Sequence, residues 1–139
     1  MDIQKELKVV ASIEIITAIA LILAWLIYFT LYDSMVFFPF DKLAYQKGLP
    51  LFDVPFAGLL IYAGTQLFKG KPSGKTISFI CAAYMIFFGV TDYGINFQGE
   101  SYALSIIDML AKGFVNLWCI ILGIFIFISI RKDPNKIQY

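Results

Sequence analysis

At 139 residues, 60% of them apolar and 17% aromatic, with a mean hydropathy of +0.78 and a net charge of +1, the chain has a membrane composition and offers no nucleic-acid surface. It contains no histidine, which excludes histidine-ligated haem, histidine-bearing zinc sites and imidazole proton relays.

The first apolar run, Val9 to Tyr32, exceeds the ~20 residues needed to cross a hydrocarbon core of ~30 Å. Its head, MDIQKELK, mixes acids with lysines and no small-residue cleavage site follows, so the run reads as a retained span and not as a secretory signal. Glu14 interrupts it, and a charged side chain at a bilayer centre costs roughly 2.5 to 3.5 kcal/mol on insertion scales. Six residues past Lys8, or about 9 Å of helix, Glu14 is expected at shallow to intermediate depth. Its helical face continues through Thr17, Ala18, Leu21, Trp25 and Tyr28. The first reading of Glu14 is an interhelical hydrogen-bonding group, with Tyr62, Gln66 and Ser78 as donors at similar depth, and the second is a proton or cation site. Small multidrug transporters also carry one glutamate in the first of four spans. This chain is not read as one of them, because none of their other motifs surrounds IEIITAIAL and its first connection is long.

That connection, DSMVFFPFDKLAYQKGLP (Asp33 to Pro50), is aromatic where a solvated loop is polar, so it is expected to lie in the interface or fold over the helices. Asp41 can cap a short interfacial helix through DKLAYQK, ended by Gly48. The second span, Leu51 to Phe68, places Asp53 as a cap ahead of Pro55. KGKPSGK, Lys69 to Lys75, is a tight basic turn that folds the third span, Thr76 to Tyr93, back on the second.

Asp92 closes the third span at an end where the helix dipole disfavours an anion, and its face runs back through Gly89, Met85, Cys81 or Ala82, and Ser78. The third connection carries Tyr93, Phe97 and Tyr102 at headgroup level. In the fourth span, Ile106 to Ile130, Asp108, Lys112, Asn116, Cys119 and Gly123 form one stripe expected to face inward. Ser105 and Asp108 fit a capping box, and Lys112 is a counter-ion for Asp108 or Asp92. Cys81 and Cys119 differ in expected depth and read as two small buried residues without a disulfide.

Lysines and arginine gather at the head, the second connection and the tail, which places both termini in the cytoplasm. The expected fold is therefore an all-α integral membrane protein, a single four-transmembrane-helix antiparallel bundle with an aromatic outer loop or short interfacial helix.

Its expected site is an outer-facing polar recess of Asp92, Asp108, Lys112, Asn116 and Tyr93 under the aromatic connection, with Glu14, Gln66 and Ser78 as a separate proton or hydrogen-bond site. Six outer acids, Asp33, Asp41, Asp53, Asp92, Glu100 and Asp108, against Lys42, Lys47 and Lys112 leave that side at minus three, which attracts cations.

The leading expectation is a protein that binds or transports a small cationic or amphipathic molecule, alternating access by four short helices calling for a homodimer. An accessory or scaffold subunit packing on a membrane partner is the alternative, using small residues at Ala20, Ala24, Ala57, Gly58, Ala63 and Gly64. A lipid-acting enzyme ranks last: no catalytic set, metal set or cofactor motif is present in the pattern. The recess requires that Lys112→Met alter folding, oligomeric state or retention of a bound small molecule in native mass spectrometry. No change in any of the three removes its support.

Overall fold

In the computed structural model, residues 3–32, 50–98 and 106–132 are described, with side chains over 4–27, 30, 51–94 and 113–132. Four helices make up almost all of them: α1 (Ile3–Tyr32), α2 (Pro50–Phe68), α3 (Pro72–Gln98) and α4 (Ile106–Arg131). Each contains a stretch long and apolar enough to cross a membrane: Gln4–Ile27, Leu51–Phe68, Pro72–Gly94 and Gly113–Arg131. The expected spans all fall inside these helices. The aromatic connection with its short helix, Ser105 and most of the third connection lie outside the described residues.

Helix ends differ from expectation where charged residues or prolines extend them. α1 starts at Ile3, because the Gln4 to Lys8 segment is made of good helix formers and puts Glu6 in the first turn, where an anion meets the positive end of the dipole. α2 and α3 both start on a proline, Pro50 and Pro72, whose fixed φ suits the first helical position and whose missing N–H costs nothing there. Pro55 then lies one turn inside α2, where its ring removes one backbone bond.

The α2–α3 turn is a Schellman closure. Gly70 adopts φ 66°, its N–H donates to the Leu67 carbonyl at 2.9 Å, and the Lys71 N–H donates to the Gln66 carbonyl at 3.0 Å. Around the assembly α1 packs on α2, α2 on α3 and α3 on α4, and α1 meets α4 over a shorter stretch. The Glu6 carboxylate and the Lys132 ammonium, 3.1 Å apart, join the start of α1 to the end of α4.

The distribution of side chains is the reverse of a soluble bundle. Ala11, Ala18, Ala57, Ala63 and Ala82 are fully buried, while Ile16, Leu26, Phe87, Phe114, Leu117 and Ile121 are each more than half exposed. Within the four apolar stretches only 22 to 39% of positions are buried, so most of each helix surface faces outward. Apolar surface on this scale is not left to water in a stable soluble monomer.

Small residues at the contacts let backbones approach. A Cβ added at Gly123 meets the Ala82 carbonyl oxygen at 2.8 Å and Ile86 Cγ1 at 2.7 Å, and one at Gly89 meets the Asn116 carbonyl oxygen at 2.8 Å. These two glycines, one on each helix, set the α3–α4 distance. Gly123→Ala is expected to destabilise the protein by about 1 to 3 kcal/mol through overpacking against a carbonyl that cannot move. Gly58→Ala, with nothing within 4 Å of the new methyl, serves as the neutral control in the same detergent unfolding titration.

Candidate functional site

Among the described residues, two polar places besides the Glu6–Lys132 pair occur inside the helices, one at the end away from the α2–α3 turn and one nearer to it. At the end away from the α2–α3 turn lies a cavity of about 290 Å³ to which all four helices contribute. The indole N–H of Trp25 on α1 donates to Asp53 Oδ2 on α2 at 2.9 Å. Asp53 is only 6% exposed, and Asp92 of α3, which also lines the cavity, acts on it electrostatically. Asn116 of α4 is 1% exposed, and its Nδ2 has no hydrogen-bond partner.

The rest of the wall is apolar and largely aromatic. Phe56 of α2 packs on Tyr84 of α3 with ring centroids 4.4 Å apart, and Phe88 follows Tyr84 along α3 at 6.1 Å with planes 15° apart. Leu21, Met85 and Cys119 line it more deeply. At about 290 Å³ the cavity sits at the lower end of ligand pockets, which start near ~300 Å³. That size suits a small molecule and not a lipid tail.

Of the residues expected from sequence, Asp92 and Asn116 come together here. The described part of the α4 stripe, Asn116, Cys119 and Gly123, is turned inward as its register requires: Asn116 and Gly123 are buried and Cys119 lines the cavity. The side chains of Asp108 and Lys112 lie outside the described residues. Tyr93 is 51% exposed and does not contribute to the cavity wall.

Asp53 has a different role from the cap expected of it. Because α2 begins at Pro50, Asp53 falls within the first turn, and its carboxylate reaches across to Trp25. Trp25, Phe56, Tyr84 and Phe88 were not anticipated as site residues. The usable signal was Trp25, which lies eleven residues beyond Glu14 and so on the same inward face, carrying a donor that needs a partner when buried.

The second polar place is nearer the turn. Glu14 is fully buried, and neither of its carboxyl oxygens has a hydrogen-bond partner. The Ser78 hydroxyl lies beside it without completing a bond, and Ser78 and Thr17 each keep a buried, unpartnered oxygen. Cys81, also fully buried, is close enough to Glu14 to feel its charge. Gln66 is buried at the turn, where its carbonyl holds Lys71, and Tyr62 is 48% exposed on the outer face of α2.

Both cysteines are free, and among the described residues no three acidic or cysteine side chains gather where they could hold a metal ion. Comparison with protein-family models, with curated proteins and with solved structures finds no match.

The Trp25–Asp53 bond is a charge-assisted contact between α1 and α2 at the cavity. Trp25→Phe keeps the ring and removes the donor, leaving the buried carboxylate one bond short. A loss of about 1 to 3 kcal/mol is expected in detergent unfolding. A variant as stable as the wild type would deny the bond any structural part.

Proposed function

We propose that the chain is an integral membrane protein, an antiparallel four-helix bundle with both termini in the cytoplasm, that binds or carries a small amphipathic cation in the cavity between its helices. The cavity opens the outer half of the bundle in this orientation, since the lysine-rich turn and the Glu6–Lys132 pair mark the cytoplasmic end.

The observation that carries this reading is the make-up of the wall: aromatic rings of Trp25, Phe56, Tyr84 and Phe88 with the carboxylates of Asp53 and Asp92. Aromatic faces attract cations and accept apolar groups, and carboxylates in a desolvated wall set the sign of the ligand charge. Among the described residues, two acids and no base line the cavity. Asn116 Nδ2, buried without a partner, is available to a ligand oxygen.

The accessory-subunit reading is the weaker alternative. Ala57, Ala63 and Gly64, three of the small residues it relied on, are buried within this chain's own helices, Ala24 lines the cavity, and Ala20 and Gly58 remain exposed.

Benzyltrimethylammonium, its uncharged isostere neopentylbenzene, and benzoate are suitable probes, followed by Trp fluorescence and calorimetry of the protein in mild detergent. The cation is expected to bind and the other two to bind at least ten times more weakly. Asp53→Asn combined with Asp92→Asn, which keeps an acceptor for Trp25, is expected to lower cation affinity at least tenfold, about 1.4 kcal/mol. Equal binding of the cation and its neutral isostere, or indifference to the double substitution, would overturn the proposal.

A further inference from the structure

We propose that Glu14, Thr17 and Ser78 form a proton-binding site inside the helix bundle, separate from the cavity at its far end. The carboxyl group is fully buried and both its oxygens lack hydrogen-bond partners, and the two hydroxyls nearest to it by register and position are likewise buried and unpartnered. Three adjacent groups with unmade hydrogen bonds in one enclosed place are rare in a folded protein and call for a ligand.

Charges on the surrounding helices do not supply one. Apart from Glu14, α1 has no aspartate, glutamate, lysine or arginine after Lys8, α2 has none between Asp53 and Lys69, α3 none between Lys75 and Asp92, and α4 none between Lys112 and Arg131; Tyr62 of α2 is turned outward. The other titratable group facing Glu14 is the Cys81 thiol of α3, which carries no positive charge to offer. A lone carboxylate in a low-dielectric interior is too costly to stand uncompensated, so the site takes up a cation.

The donor set selects which cation. A hard metal ion demands about six oxygens at regular geometry, and one carboxylate with two hydroxyls falls short of that. A proton needs one oxygen. Serine and threonine hydroxyls rotate, donating to a carboxylate and accepting from a carboxylic acid, so Ser78 and Thr17 can serve Glu14 in both states. Glu14 stands eight residues beyond the Glu6–Lys132 pair, about 12 Å along α1, so a proton taken up and released there charges and discharges the interior of the bundle. The site stands independently of what the far cavity binds.

The test uses the full-length protein in mild detergent and dicyclohexylcarbodiimide, an apolar reagent that adds to a protonated carboxyl group. Adducts are mapped by peptide mass spectrometry over a range of pH. The expected result is an adduct on Glu14, several-fold more abundant at acidic than at alkaline pH, absent in Glu14→Gln, and with its half-labelling pH displaced in Ser78→Ala. Glu14 left unmodified throughout, or modified equally at every pH, would overturn the proposal. Should Glu14→Gln fail to fold, infrared difference spectra of the wild type and Glu14→Asp decide. A titrating carboxylic-acid C=O band that differs between them supports the site, and identical spectra, or no such band, overturn it.

Discussion

Large apolar side chains on this chain point away from the bundle, and that single constraint governs how the helices are held together. Where the surroundings are as apolar as leucine itself, burying leucine between helices gains little, and association rests on close packing and a few polar contacts. The contacts follow that logic: Gly64 of α2 lies against the Ala11 carbonyl and Ile15 of α1, and Gly89 and Gly123 bring α3 and α4 to backbone distance. Five of the thirteen buried hydrophobic residues among those described are accordingly alanines, with Leu60, Met85 and Ile126 as the largest fully buried apolar residues.

Among the described residues, acidic groups enclosed by the helices occur at three levels with three different solutions. At the turn end Glu6 meets Lys132, whose own side chain is 58% exposed, so that pair keeps contact with water and is cheap to maintain. At the far end Asp53 meets the Trp25 indole beside a cavity. Between them Glu14 meets only hydroxyls and a thiol. The cost of a charge rises toward the middle, yet the compensation falls, and that mismatch is what distinguishes Glu14 from a structural carboxylate.

The two inner places are separated along the helices by packed residues. Leu21 and Met85 face the cavity, whereas Ala18 and Ala82, about one turn nearer Glu14, are fully buried.

Helix number, extent and the inward face of α1 and α4 were legible in the sequence, because apolar run length and helical register are properties of each segment by itself. Glu14 was legible as an anomaly for the same reason. Its lack of a partner was not: Tyr62, one turn before Gln66 on α2, looked a reasonable donor until packing turned it outward. Asp53 was read locally as a cap, and only the approach of α1 to α2 delivered the Trp25 indole to it. The cavity wall drew on residues of four helices with no shared spacing. Local pattern determines which residues a helix offers on each face, and the rotation and depth at which helices meet, set here by glycine contacts, determine which of those offers become a site.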